Sequence, residues 1–269
     1  WIARNAEDFR HLPPPAADGT RDGEFCAVEL EDGSLGLSFV LLGDTLAQLR
    51  APASLEALAG MPAPALARQY AQSQGAPRTL GFATVNALTR HLFDRAGYLP
   101  PAAGGSIGDL DLHAGDHLGM VGLFPPLVKQ VLATGARLTV LELRAELAGA
   151  REGWLVTLDA GELARCNKIL STSTVLLTDT PDALLERCRH AQRVALSCPG
   201  AGCPPDPLFA RGVTSLGGTW VVDAEAFKAA LHAGQPWGRF ARKVLLSREG
   251  YPGFDRLLDA AHTHTKESP

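Results

Sequence analysis

Apolar positions change their period along the chain, and those changes predict its parts. FCAVEL (25–30) and LGLSFVLL (35–42) are short apolar runs on either side of Glu31-Asp32-Gly33-Ser34. Asp-Gly supplies the positive φ that a tight hairpin turn needs, so the two runs predict paired strands. After Gly43 the chain becomes rich in Ala and Leu, with helical spacing over 54–59, 64–73 and 79–97. In the last of these Leu80, Val85, Leu88 and Leu92 fall on roughly one face. Two strands followed by several helices predict a small α+β unit. LPPAAGGS (99–106) reads as a linker. Beyond it, short Val/Leu-rich runs at 117–123, 137–142, 153–156, 168–171, 193–197 and 213–222 alternate with helical stretches at 126–134, 159–165, 181–190, 206–211 and 223–232. That alternation predicts a parallel sheet with crossover helices, a doubly wound Rossmann-like α/β domain. The expected division is 1–105 for the α+β unit, 106–250 for the Rossmann-like domain and 251–269 for a C-terminal tail, polar and frayed from His262 to Pro269. PPPAADGTRDG (13–23) is expected to be loop.

Composition narrows the classes. A chain of 269 residues with 46% apolar and 20% charged side chains can bury a real core, which excludes a disordered or fibrous protein. Net charge is −4, with 8 basic against 12 acidic residues in 1–110 and 17 of each beyond, so nucleic acid and anionic membrane surfaces are not expected partners. No apolar run is long enough for a membrane span. The first ten residues carry Arg4, Glu7, Asp8 and Arg10 and lack an apolar signal core; the start at Trp1 rather than Met predicts a piece of a longer product. Five scattered cysteines suit free thiols in a reducing compartment, and a cytoplasmic protein is expected.

Candidate chemistry gathers where strands should end, the ligand-facing edge of such sheets. Gly119 and Gly122, followed by Phe124-Pro125-Pro126, lie where the first parallel strand turns into its helix. Glycine there lets a ligand approach backbone, and Glu142 follows 23 positions after Gly119, about where a dinucleotide fold keeps its ribose-binding acid. The spacing is G-x-x-G rather than G-x-G-x-x-G, and the prolines lack amide hydrogens, so a tight turn walling a pocket competes with diphosphate binding. Ser171, Thr172, Ser173 and Thr174 end another strand, where hydroxyls suit a polar ligand or cap a helix; Thr180 before Pro181 reads as a helix cap. Cys198 and Cys203, in CPGAGCPP, could bind a soft metal or simply shape a turn, and Cys166 and Cys188 read as core. His113, Asp116 and His117 cluster at the junction, with His91 on the long front helix; His262 and His264 are weaker candidates. Nucleophile-elbow, phosphate-loop and H-E-x-x-H motifs are absent from the sequence.

In this order, GMVGLFPPLVKQVLATGARLTVLEL, STSTVLLTDTPDALL and CPGAGCPPDPLFARGVTSLGGTWVVD resemble the heavy-metal chelation domain family, and LGLSFVLL with GFATVNALTRHLF resembles the companion domain that precedes it. The resemblance covers about residues 24–245. It implies an enolase-N-terminal-like front domain on a Rossmann-like back domain, with a site in the cleft between them and a role in handling heavy metals or their chelates. Gly119, Gly122, Phe124 and Pro125 match the family's glycine-and-FP turn, Glu142 its acid, Asn86 its Asn-Ala pair, and Thr172 and Thr180 two threonines of a T-G-S-T-L-V-N-G-T stretch. Ser173 and Thr178 replace a glycine and an asparagine of that stretch, and Cys198-Pro199-Gly200 replaces Gly-Pro-Ser/Thr. The first expectation is a protein that binds a metal ion or a metal-chelating small molecule between the domains, using Asn86, Gly119, Gly122, Phe124, Pro125, Ser171–Thr174 and Thr180, with Cys198, Cys203 and His117 as metal ligands and a transition-metal ion as the candidate cofactor. The alternative is a lyase or transferase of metallophore or cofactor biosynthesis with Glu142 as acid/base, using a nucleotide or adenosylmethionine. A scaffold without a small-molecule site is a third reading, and self-association into a homo-oligomer is left open.

Overall fold

Residues 25–40, 42–50, 61–104, 107, 109–233 and 235–266 are described in the computed structural model. The loop expected at 13–23 and the helix expected at 54–59 lie outside them. The front part opens with the expected hairpin, β1 (Phe25–Glu29) antiparallel to β2 (Leu35–Phe39), turning at Gly33 with φ 85°. Helices α1 (Thr45–Arg50), α2 (Ala63–Gln72) and α3 (Gly75–Arg95) follow. Small residues let α3 lie almost against β2, where Ala83 and Ala87 are fully buried under Gly36.

The back part carries β3 (His117–Val121), α4 (Pro125–Ala133), β4 (Arg137–Leu141), β5 (Gly149–Arg151), β6 (Trp154–Thr157), β7 (Lys168–Thr172), α5 (Pro181–Arg187), β8 (Arg193–Ser197), α6 (Asp206–Phe209), β9 (Ser215–Val221), α7 (Ala224–His232), β10 (Ala241–Ser247) and α8 (Phe254–Lys266). The eight strands form one sheet in the order β10-β9-β8-β7-β3-β4-β6-β5. The six inner strands are parallel and the two outer ones antiparallel to their neighbours. Read along the parallel strands, this is the order of the dinucleotide-binding fold, with the first strand in the middle and the chain reversing direction beside it. The reversal puts a crevice at the carboxyl ends of β3, β4 and β7.

Alternation along the strands separates two cores. Leu118, Met120, Leu138 and Val140 pack against Leu127, Val128 and Val131 of α4. On the opposite face Val121, Ile169, Val194 and Leu196 join Phe82 and Phe93 of the front helix α3. The apolar interior therefore runs on across residue 105; Phe93 stacks on Trp220 of β9, ring centroids 6.3 Å apart. The front hairpin likewise shares a core with Phe227 and Trp237.

Three expectations need correction. The stretch 160–165 is a 3-10 helix rather than an α-helix. The stretch from His262 is not frayed as far as Lys266: α8 runs from Phe254 through Lys266, burying Leu257 and Ala261 and packing on α3. Strand β10 and the short outer strand β5 were not foreseen. Among the described residues, no helix is long and apolar enough to cross a membrane.

Candidate functional site

The crevice is built from the strand ends outward. β3 ends at Val121, and Gly122 turns the chain at φ 80°, a conformation glycine adopts without strain. A β-carbon there would lie 3.2 Å from the Thr172 methyl, so the ends of β3 and β7 touch. Glu142 leaves the end of β4 and closes this turn from the other side. Its Oε2 accepts from the Leu123 amide at 3.1 Å and its Oε1 from the Leu143 amide at 2.8 Å. The carboxylate expected to serve as acid or base is thus engaged in holding the glycine turn in place. Gly119 is elsewhere: an added β-carbon would meet Ile169 and Leu163 at 2.8 Å and the Cys166 sulfur at 3.1 Å, so the protein's own side chains use the space.

Helix α4 starts without donors. Phe124 is its N-cap residue and Pro125 and Pro126 occupy the next two positions, while the Leu127 amide donates to the Phe124 carbonyl at 2.9 Å. The Gly122 amide is taken by the Leu141 carbonyl. A diphosphate seeks several free amides at such a helix start, and here nearly all are missing or occupied.

At the end of β7 the hydroxyl cluster is held by hydrogen bonds within itself. Thr172 caps the 3-10 helix 173–177: its Oγ1 accepts from the Thr174 amide at 3.2 Å and donates to Thr174 Oγ1 at 2.9 Å. Beside it, Cys198 follows β8, whose Ser197 is paired with Thr172, so the thiol stands next to the hydroxyls at the end of β7, in a turn that carries the Gly200 amide. Burial pushes the Cys198 thiol up, and these donors pull part of the way back by favouring the thiolate. Cys198 therefore holds its proton at neutral pH, among groups arranged to accept its loss. Ser171 is fully buried, and its hydroxyl donates to the Thr172 carbonyl at 3.1 Å.

Asn86 stands behind this loop rather than in the crevice. Its side-chain amide donates to the carbonyls of Leu37 and Gly200, both at 2.7 Å, stapling β2 and the 198–203 loop to α3. Two acceptors facing one nitrogen fix which way the amide points. Its Oδ1 is buried without a partner, beside a cavity of about 30 Å³ lined also by Thr89, Arg90, Gly202, Thr219 and Trp220. That is room for a water. Neither Glu142 nor the glycine turn lines this hollow, so the expected single cleft joining them to Asn86 is not formed. We expect Asn86→Ala to cost about 2 kcal/mol in urea unfolding, because two buried carbonyls lose their donor.

The three expected metal ligands are dispersed. Cys203 is buried in the large core near Tyr70, and burial pushes its thiol up to about 12. His117 begins β3, at the opposite, amino edge of the sheet from Cys198, which follows β8; its Nε2 is 2.9 Å from Thr139 Oγ1, and burial draws its pKa down. Among the described residues, no group of three His, Cys, Asp or Glu side chains could hold a metal ion. A bare ion caged by this chain's own ligands therefore does not fit the residues described. Thr180 sits at the cap position of α5, but its hydroxyl pairs with Thr178 at 2.7 Å instead of capping the helix. The Gly200 amide was missed from sequence; a local turn, closed by the Ala201 amide on the Cys198 carbonyl at 3.0 Å, brings it towards the sulfur.

Two family models match the sequence. The family model DUF364, described as "Putative heavy-metal chelation", covers residues 107–248, more than half of the chain. The chain belongs to that family. A second model with the same description, DUF4213, covers residues 23–89 of the front part. Two solved DUF364 structures, both of unknown function, share the fold. The one from Desulfitobacterium hafniense is 19% identical with a TM-score of 0.64, covering 91% of this chain and 96% of its own. The one from Pyrococcus horikoshii is 16% identical with a TM-score of 0.59, covering 91% and 99%. No curated protein matches.

Proposed function

We propose that the protein binds a metal chelate, a soft transition-metal ion already wrapped by a small polar molecule, at the carboxyl edge of its sheet. Cys198 supplies one sulfur ligand, and Thr172, Ser173, Thr174 and the Gly200 amide hold polar atoms of the chelator. The observation that carries this reading is the half-buried Cys198, which follows β8 directly beside the hydroxyl-rich end of β7, where Thr172 is paired with Ser197. Soft ions favour sulfur, but one thiol cannot complete a coordination sphere, so the remaining donors must arrive with the ion. The family description, heavy-metal chelation, agrees with such cargo. Coordination would release the thiol proton, so binding should strengthen as pH rises.

Equilibrium dialysis with metal analysis tests this. Nickel, copper and zinc are offered as bare ions and as their histidine and citrate complexes. We expect one equivalent retained from at least one complex, weaker retention of bare ions, and a loss of about tenfold or more in Cys198→Ser, since sulfur–metal bonding is replaced by a poor hydroxyl ligand. Equal retention by Cys198→Ser would remove the thiol from the function.

A further inference from the structure

The 3-10 helix 173–177 carries Ser173 and Thr174 at its start, and the chelate reading gives a task to that start but none to its far end. The far end is gripped from the front part. Tyr70 of α2 donates its hydroxyl to the Leu176 carbonyl at 2.8 Å. Arg78 of α3 donates from Nη1 to the Leu177 carbonyl at 3.4 Å and to Asp179 Oδ1 at 2.8 Å. Gln74 Nε2, at the corner between the two helices, donates to Asp179 Oδ2 at 3.1 Å. A helix end leaves its last carbonyls without partners of its own, so these donors meet groups that the turn alone leaves open.

Each gripping side chain is itself held. The Tyr70 ring packs on Phe82 of α3, centroids 4.9 Å apart, which limits where its hydroxyl can point. Burial pushes Tyr70 up to about 12, so it keeps the proton it donates. The Arg78 side chain is only 11% exposed, and its Nε donates to the Ser73 carbonyl at 2.8 Å, which sets the direction of the guanidinium fork. Gln48 Oε1 of α1 accepts from the Ala76 amide at 2.8 Å and steadies the start of α3. At its other end the 3-10 helix is fixed by Thr172, which caps it and is paired with Ser197, the residue before Cys198. Leu176 and Leu177 are buried in the large core between these two anchors. So short a helix, held at both ends, moves as one body, and a shift at its far end is felt at its first hydroxyls.

We infer that Tyr70 and Arg78 are positioning residues of the crevice: from the front part they seat the 3-10 helix so that Ser173 and Thr174 stay beside Cys198. The inference rests on the chelate reading for what the turn holds, but not for the seating itself. Cys198 is half-buried, whereas Cys26, Cys166, Cys188 and Cys203 are buried, so the protein carries one reporter thiol and four controls. Burial is the largest influence on the Cys198 thiol, so a turn that drifts away from it both admits a reagent and eases ionisation.

Alkylation by iodoacetamide, followed at each cysteine by peptide mass spectrometry, tests it on the full chain. We expect the Tyr70→Phe/Arg78→Met double variant to speed alkylation of Cys198 by about threefold or more, while the four buried cysteines keep their wild-type rates. If the double variant folds poorly, Tyr70→Phe alone, which keeps the ring on Phe82, should show the same selective pattern at about twofold or more. In equilibrium dialysis the double variant should also bind a retained histidine or citrate complex of nickel, copper or zinc about fivefold more weakly than the wild type. The inference is overturned if Cys198 reacts at its wild-type rate, or if all five cysteines speed up together, which is general loosening. It is equally overturned if the double variant retains such a complex as tightly as the wild type does. A wild type that retains no complex removes the chelate reading alone, and the alkylation rates still decide the seating.

Discussion

Gly36→Ala is expected to be among the most damaging single-methyl additions in this protein, lowering unfolding free energy by roughly 3 kcal/mol or more. The methyl would lie 2.1 Å from the Ala83 carbonyl oxygen and 2.2 Å from the Ala87 amide nitrogen. Those are main-chain atoms in the middle of a 21-residue helix and cannot rotate away as a side chain would. Relief requires β2 to lift from α3, which would lengthen the Asn86 bond to the Leu37 carbonyl and disturb the hairpin core around Phe227 and Trp237. Urea unfolding with tryptophan fluorescence would report it, since Trp237 lies in that core. Gly33→Ala, where an added methyl meets nothing within 4 Å, is the control: it should cost only the strain of its φ of 85°. Equal effects at the two positions would contradict the close approach.

The second large effect is expected at the amino edge of the sheet, where Asp116 holds Lys168. Lys168 is 7% exposed, and its ammonium donates to Asp116 Oδ2 at 2.9 Å and to the Asp111 carbonyl. Asp116 also accepts from Asn167 at 2.7 Å and from the His113 amide at 2.8 Å. Asp116→Asn leaves a buried ammonium without its counter-charge and should cost about 3 kcal/mol. Adding Lys168→Met should recover much of that, because the charge is then gone as well. The bond from Lys168, helped by Asn167 and the His113 amide, lowers the Asp116 pKa to about 2. A carboxyl whose folded pKa lies below its unfolded value near about 3.9 stabilises the fold at higher pH. That contribution is fully present above the unfolded pKa and is lost as pH falls from about 4 towards 2. Urea titrations at pH 6, 4 and 3 should therefore show a steeper acid loss in the wild type than in Asp116→Asn. Parallel loss in both would show that another carboxylate dominates acid unfolding.

The fold was legible where strand and helix differ in period. The runs at 117–121, 137–141 and 193–197 are short, apolar and bounded by turns, so their number and alternation predicted a parallel sheet. β10 escaped because ARKVLLS carries two basic residues, Arg242 and Lys243, in its first three positions and lies on an antiparallel edge, where one side of the strand stays wet. α8 escaped for a related reason: FDRLLDAAHTHTK reads as polar, yet Leu257 and Ala261, four residues apart, are enough to seat it on α3. Single-face burial carried by so few residues is weak in sequence and decisive in three dimensions.

The candidate site was legible in parts and not in its grouping. Strand ends located Gly122, Glu142, the hydroxyls at 171–174 and Cys198 along one edge. Nothing local distinguishes a glycine that admits a ligand from Gly119, whose missing side chain makes room for Ile169 and Leu163, because that depends on residues over 40 positions away. Asn86 was likewise placed by its amide, which serves two carbonyls from β2 and the 198–203 loop instead of a ligand.

The stretch that crosses from the front half to the back behaves as a hem sewn along the sheet's rim. Ala102 bridges to Val244, the Ala103 amide donates to the Lys243 carbonyl at 3.0 Å, and the Leu245 amide donates to Pro101 at 2.9 Å. A rim left bare invites foreign strands to add themselves. Cutting the polypeptide between its two family segments and expressing the back half alone would unpick that seam and leave β10 sticky, so the halves are better handled as one piece.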